Sequence, residues 1–250
     1  MDLSLTGKII LVTGGASGIG AAMVEALLSE NATPIIMDLA KPDNSVPARH
    51  FQIDLCNEDS LQRAVASLVD TEGGIDGIVN NAGINDSIGL GASVREFRAS
   101  LEKNLVQCFS VVHHCLPYLK KSQGVILNIG SKVYVTGQGG TSGYASAKGG
   151  LAALTREWAL DLAPSGIRCN AVVPAEVWTP MYQKFLSSHN DPEGVRREIE
   201  ALIPLGQRMT TPEEIAAMGV FLLSGRSSHT TGQIVFVDGG YTHLDRSFQG

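Results

Sequence analysis

Between Lys8 and Asp238 the chain switches repeatedly between short apolar runs and longer stretches of helical periodicity, and this alternation restricts the fold more than any other feature. KIILVT (8–13), TPIIMD (33–38), RHFQID (49–54), IDGIVNNAG (75–83), GVILNIGS (124–131), IRCNAVVP (167–174) and QIVFVD (233–238) read as strands, the fourth running on into a loop. Helical patterns cover 18–30, 58–71, 94–120, 142–164 and 212–223. Strands apolar on both faces need cover on both, and helices between them make the pairing parallel. The expected fold is therefore α/β, a parallel sheet with helices on both faces. At 250 residues, with no linker, low-complexity stretch or repeat, the chain is expected to form a single domain over 1–250.

Two segments fall outside the alternation. Residues 175–211 hold Trp178, Pro180, Tyr182, Pro192 and Pro204, and follow a strand. Ligands of open α/β sheets bind beyond the carboxyl ends of the strands, which makes this segment a candidate lid over a substrate. The tail GGYTHLDRSFQG follows the last strand.

A net charge of -6 argues against nucleic acid or an anionic membrane as the main partner, since both select basic patches. No apolar run reaches the roughly 18 residues that a membrane span requires. MDLSLTGKIILVTGG shows no secretory pattern, so a cytoplasmic protein is expected. The four cysteines, Cys56, Cys108, Cys115 and Cys169, are scattered, and reduced, buried thiols are expected. His113 and His114 beside Cys115 suggest a metal, but adjacent helical residues diverge by about 100° and no second cluster has ligand spacing, so no metal site is expected. Glu213 and Glu214 look like paired catalytic carboxylates. In TPEE (211–214) they read better as a capping box, with Thr211 at the N-cap, Pro212 at N1 and Glu214 at N3.

TGGASGIG (13–20) joins the first strand to the first helix. Gly14, Gly18 and Gly20, with Ser17 and Ile19 between them, follow G-x-x-x-G-x-G. Such glycines permit a tight turn and let a pyrophosphate approach the helix N-terminus, although a glycine turn without a ligand has the same pattern. Asp38 closes the second strand, 18 residues after Gly20, near the spacing at which an acid bonds the adenosine ribose. A carboxylate there repels the extra phosphate of NADP, so NAD is favoured, although Lys41 is close. Asp54 ends the third strand, and Leu55 follows it. Asp54 suits either the adenine amino group or a helix cap.

In GYASAK (143–148) Tyr144 and Lys148 share one helical face. By itself this spacing also describes two side chains on a solvated surface. A free phenol titrates near pH ~10, and a cation beside it favours the phenolate, so the pair suits a base with its electrostatic partner.

Taken together, TGGASGIG at 13–20, NNAG at 80–83, Asn104 in a long helix, Ser131 ending a strand and YASAK at 144–148 resemble the short-chain dehydrogenase/reductase superfamily. The match runs nearly end to end, in order. The resemblance implies a Rossmann-like, doubly wound, seven-stranded parallel sheet, an NAD(P) cofactor and a homotetramer. It implies Tyr144 as the acid/base, Lys148 on the nicotinamide ribose, Ser131 on the substrate oxygen, and Asn104 holding a water that links Lys148 to solvent. Asn81, Ala82 and Gly83 would support the cofactor. One departure stands out: Pro174-Ala175 replaces the Pro-Gly of many members. Thr179 and the backbone near Val177 are still expected to reach the nicotinamide amide.

Loops determine substrate. Three segments should face the nicotinamide: INDSIG, SKVYVTGQGGTSGY and PAEVWTPMY. Beyond Ser131 they offer Asn85, Lys132, Gln138, Glu176, Trp178 and Tyr182, a polar set for a small hydroxylated molecule, with Lys132 expected to turn to solvent. A site for a steroid or long acyl chain should be mostly apolar. SKVYVTGQGGTSGYASAKG, VVPAEVWTP, PLGQRMTTPEEIA and DGGYTHLDR further resemble the L-fucose dehydrogenase-type aldose dehydrogenases, which implies oxidation of an anomeric hydroxyl to a lactone. Two rivals remain at this point. One is a 3-oxoacyl-carrier-protein reductase, which usually favours NADP and needs a basic mouth; here Lys184, Arg196 and Arg197 are mixed with Asp191, Glu193, Glu198 and Glu200. The other is a dinucleotide-binding sensor without turnover, against which the Ser131, Tyr144 and Lys148 set argues.

Overall fold

The computed structural model describes residues 2–43 and 45–244. Seven strands lie among them: β1 (Ile9–Thr13), β2 (Thr33–Asp38), β3 (Arg49–Gln52), β4 (Gly77–Asn80), β5 (Val125–Ile129), β6 (Arg168–Pro174) and β7 (Ile234–Val237). They form one sheet in the order β3-β2-β1-β4-β5-β6-β7, and each neighbouring pair is parallel. The order turns back between β1 and β4, where Ile10 pairs with Gly77 and Val12 with Val79. Beyond their carboxyl ends lies the crevice in which open α/β sheets bind ligands. This is the seven-stranded, doubly wound Rossmann-like fold that the resemblance implied.

The helices are α1 (Gly18–Ser29), α2 (Glu58–Glu72), α3 (Val94–Leu101), α4 (Gln107–Ser122), α5 (Ser142–Leu162), α6 (Pro180–Ser187), α7 (Pro192–Ala201) and α8 (Pro212–Leu223). Successive strand residues point to opposite faces, so each strand feeds two cores. Ile10, Val12, Ile36 and Leu127 pack with Met23 and Leu27 of α1 and Ile215 and Val220 of α8. Leu11, Ile35, Ile78 and Ile126 pack with Leu61 and Leu68 of α2, Val111 and Leu119 of α4, and Trp158 of α5. Each fully buried Leu or Ile contributes about 1.5–3 kcal/mol. Where α1 crosses α8, a Cβ on Gly219 would come within 2.3 Å of the Met23 methyl, so a glycine permits the close crossing.

TPEE is the capping box that the sequence suggests: Thr211 Oγ1 accepts from Glu214 N and Glu214 Oε2 accepts from Thr211 N at 2.8 Å. Arg208 joins it, donating to Oε2 at 2.9 Å and Oε1 at 2.5 Å. These hydrogen bonds, Arg208's first, hold the Glu214 carboxyl at about 2.

Three expectations need correction, and the segment 175–211 gains detail. The helix read over 94–120 is two helices, α3 and α4, separated by a π-helical turn at Glu102–Val106. β3 stops at Gln52, so Asp54 stands past the strand. The segment 175–211 holds α6 and α7, each begun by a cap and a proline at N1. Thr179 Oγ1 accepts from Tyr182 N at 3.2 Å, and Asp191 Oδ1 accepts from Gly194 N at 2.9 Å. All four cysteines are free, but Cys56 is exposed and only Cys108, Cys115 and Cys169 are buried. Burial pushes the Cys108 thiol up to about 11 and that of Cys115 up to about 12.

Among the described residues no helix is long and apolar enough to cross a membrane, and no three His, Cys, Asp or Glu residues are grouped to hold a metal ion. Tyr241–His243 form a 3-10 turn after β7. The end of the DGGYTHLDR stretch and the tail beyond it, 245–250, lie outside the described residues.

Candidate active site

The turn between β1 and α1 leaves no room for side chains. Gly14 has a φ of +64°, and a Cβ there would lie 2.8 Å from Ala82 Cα. A Cβ on Gly20 would fall 2.0 Å from the Gly14 carbonyl oxygen. Asn81 secures the turn by donating from Nδ2 to the carbonyls of Thr13 and Gly14, both at 3.0 Å. Thr13 Oγ1 donates to Val79 O and accepts from Asn81 N and Ala82 N. The Asn81 amide thus braces the turn from beneath, and Gln107 Nε2 fixes the Ala82 carbonyl at 2.7 Å.

Ser17 stands at the N-cap of α1 but its side chain makes no capping bond, and the first turn carries no acid. An anion approaching these N–H groups meets neither a competing hydroxyl nor a repelling carboxylate. Thr179 lies over the same turn: its methyl would be 3.4 Å from a Cβ on Gly18. Asp38 Oδ2 accepts from Ala16 N at 3.0 Å and Oδ1 from Ala40 N at 2.9 Å. Each oxygen has a second lone pair for a ribose hydroxyl. A glycine cradle, an uncapped helix end and a fixed carboxylate at the switch point together fit a dinucleotide. Asp54 is exposed and accepts from Cys56 N at 2.9 Å, while Asn57, not Asp54, caps α2. Leu55 is buried in the core beneath.

The residues read as catalytic lie about the ends of β4 and β5. Ser131 follows β5 and caps a 3-10 turn, Lys132–Tyr134, with its Oγ 3.5 Å from Val133 N. Tyr144 and Lys148 occupy the first two turns of α5. The buried Lys148 donates to the Ile129 carbonyl at 2.7 Å, two residues before Ser131, and its ammonium is 5.6 Å from the centroid of the Tyr144 ring. The remaining ammonium protons are available to other acceptors.

Asn104 is fully buried at the centre of the π-helical turn. Its Oδ1 accepts from Ile84 N at 2.7 Å and its Nδ2 donates to Ser100 O at 3.0 Å. The side chain is thus used in joining the NNAG loop to the helix, as the backbone-satisfied reading of a lone helix asparagine would have it. A Cβ on Gly83 would lie 2.9 Å from Asn104 Oδ1 and 3.8 Å from Lys148 Nζ, so only glycine fits between them. π-Helical turns recur at functional sites, where the extra residue redirects the helix.

On the substrate side, Pro174 ends β6 and the chain continues as a short bridge in which Val177 pairs with Thr210. Lys132 corrects its expectation: it is buried, and its ammonium is ion-paired with the Glu176 carboxylate. The same ammonium lies 3.9 Å from the Tyr241 ring centroid. Burial, with Glu176 as its hydrogen-bond acceptor, pushes the Tyr182 hydroxyl well above the ordinary phenol range. Trp178 and Tyr182 pack on a small core of Leu186, Ile203 and Met209, and the Arg196 guanidinium lies 4.2 Å above the Trp178 ring. Gln138 is exposed, and Asn85 accepts from Ser87 N at 3.3 Å, so neither joins this cluster. Sequence reasoning missed Tyr241 and the burial of Lys132.

Residues 14–242 match the family described as Enoyl-(Acyl carrier protein) reductase. The 3-oxoacyl-(acyl-carrier-protein) reductase of Thermotoga maritima is 36% identical over 95% of this chain and 99% of its own. L-fucose dehydrogenase of Rattus norvegicus is 35% identical over 94% of this chain and 89% of its own. Among solved structures, that of Cj0485 dehydrogenase superposes with a TM-score of 0.96 at 44% identity, covering 99% of each chain. Ligand-free aldohexose dehydrogenase of Thermoplasma acidophilum superposes with a TM-score of 0.95 at 30% identity, covering 100% of each. With relatives this similar across nearly its whole length, the chain belongs to the short-chain dehydrogenase/reductase superfamily and is an oxidoreductase acting on CH-OH groups.

Proposed function

We propose that the enzyme oxidises the anomeric hydroxyl of an L-fucose-like aldose to a lactone, with NAD as acceptor, as a cytoplasmic homotetramer. The observation that carries the substrate class is the group of Lys132, Glu176 and Tyr182 beside Ser131. Charged and polar groups clustered this close to the serine turn suit a ligand with hydroxyls on adjacent carbons, each able to donate and accept, and disfavour an acyl chain. Relatives named L-fucose dehydrogenase and aldohexose dehydrogenase support the same class.

When bound, the nicotinamide supplies the hydride acceptor. Gly14, Gly18, Gly20 and the α1 N-terminus would hold the pyrophosphate and Asp38 the adenosine ribose, with Ser17, Ile19, Asp54, Leu55 and the Asn81–Gly83 loop alongside. Pro174, Val177 and Thr179 would border the nicotinamide. Ser131 Oγ donates to the substrate oxygen, and Tyr144 Oη takes the hydroxyl proton. The Lys148 ammonium, pinned to the Ile129 carbonyl, faces the charge that passes through this group. Asn104 sets the helix backbone near Lys148, from which a water could carry the proton away.

Asp38 supports NAD over NADP because a carboxylate fixed by two N–H groups cannot swing away from a 2′-phosphate. Asp38→Ala should narrow the difference between the two cofactors, and an NADP preference in the unaltered protein would overturn this assignment. The second reading, a 3-oxoacyl thioester reductase, is favoured by the Thermotoga maritima relative. Rates with a panel of aldoses, polyols and an oxoacyl thioester, each with NAD and NADP, separate the two. Oxidation of L-fucose or D-arabinose with NAD is expected. Thioester reduction with no aldose oxidised replaces the sugar reading.

A further inference from the structure

Two opposite charges are nearly closed off from solvent on the substrate side. Lys132 directly follows Ser131, and Glu176 lies two residues past Pro174; their side chains are 11% and 16% exposed. Tyr182, from α6, lies beside Glu176, and Tyr241, from the turn after β7, presents its ring to Lys132. The serine turn, the loop after β6, α6 and the C-terminal turn therefore each bring one polar side chain to a single cluster. The nearby Arg196 is occupied elsewhere: it stacks on Trp178 and pairs with Glu200 at 3.0 Å.

Lysine alone at this place would offer a cation to any ligand resting on Ser131, and glutamate alone would offer an anion. Together they offer donors and acceptors with no net charge. A neutral polyol can use both ends. A carboxylate is attracted by one end and repelled by the other, and so is an ammonium; discrimination of this kind depends on the repulsive element as much as on the attractive one.

We propose that Lys132 and Glu176 act as a charge filter, each masking the other, so that the site accepts uncharged hydroxylated substrates and turns away acids and amines. This deepens the sugar reading, but its test does not depend on which neutral alcohol is the substrate.

The probes are acetate and methylammonium, used as inhibitors of turnover of whichever alcohol the enzyme oxidises fastest, with sodium chloride matching ionic strength. Neither should inhibit the wild type more than the salt control. Glu176→Gln, which keeps an acceptor for Tyr182, should bind acetate at least tenfold more tightly and leave methylammonium unchanged. Lys132→Met, which keeps the length of the stem, should do the reverse, and the double variant should respond to neither. NAD affinity and circular dichroism report whether each variant is folded; if Lys132→Met is not, Lys132→Gln takes its place. A variant that changes both probes in the same direction, or neither, shows a pair that only holds the loop and overturns the filter. If the wild type oxidises no aldose, the sugar reading fails, while the probe results with another alcohol still decide the filter.

Discussion

Where β1 passes into α1 a single added carbon at Gly20 would sit 2.0 Å from a backbone oxygen, whereas along the substrate segment whole apolar side chains stand in solvent, Met181 at 57% exposure and Leu205 at 73%. The two regions touch, Thr179 lying over Gly18. Yet one is fixed by backbone sterics and a closed set of hydrogen bonds through Thr13 and Asn81, and the other by a small core of three buried side chains and side-chain ion pairs. The contrast follows the division of labour. What every reaction of such an enzyme shares is handled where the chain has no freedom, and what differs between substrates is handled where a change costs little.

The sharpest separation of chemistry from both regions is Tyr144→Phe. Loss of one hydroxyl should lower turnover by about 10²–10⁴-fold while cofactor affinity stays as it was. Residual activity above a tenth of wild type, measured at saturating cofactor, removes Tyr144 from its role. Next in size is Gly20→Ala. Its Cβ has no route away from Gly14 O or the Asn81 amide, so a loss of about 3 kcal/mol in chemical denaturation is expected, together with weakened cofactor binding. A Gly20→Ala protein of normal stability would erase the contrast from the rigid side.

Leu186→Ala tests the other side. Leu186 is buried in the small core under α6 and α7, and its truncation should cost that segment about 2 kcal/mol. Amide exchange in α6 and α7 should accelerate and the KM for the alcohol should rise, while cofactor affinity changes less than twofold. Equal loss of both affinities would mean that the regions are one cooperative unit.

The smallest effect concerns Glu214, whose carboxyl is held low by Arg208 and the Thr211 backbone. A depressed folded value means stability that is fully present above the ordinary carboxylate range and lost as pH falls toward about 2. The side chain is 40% exposed, so with solvent screening the contribution is about 0.5–1 kcal/mol. Glu214→Gln should lower the melting temperature by a few degrees at pH 6, and the difference should shrink as pH falls from 4.5 to 2.

What could be read from the sequence was local or repeated. Strand and helix alternation defines the sheet, the spacing of Tyr144 and Lys148 places both on one helix face, and Gly14, Gly18 and Gly20 mark a turn by lacking side chains. Long-range pairing was not legible. Lys132 and Glu176 are 44 residues apart and Thr13 and Asn81 are 68 apart, and nothing in either neighbourhood announces the other. The sequence does carry Thr179-Pro180 and Asp191-Pro192, two helix starts in the segment read only as a lid. In both places the proline follows a capping residue, where it begins a helix. The break at Asn104 has no compositional mark, because a π-helical turn uses ordinary helix formers.

That break also acts as a phase shift. Each residue advances a helix by about 100°, so a five-residue turn in place of a four-residue one leaves everything after Val106 rotated by about that angle from an uninterrupted helix. In this rotated frame Val111, Cys115 and Leu119 point into the core. Removing one residue between Glu102 and Val106 would restore a regular helix with α3 and α4 still in phase, and what it would lose is the widened turn that holds Asn104 against Gly83. The extra residue is therefore part of the site, and a one-residue deletion in this stretch should cost activity more than stability.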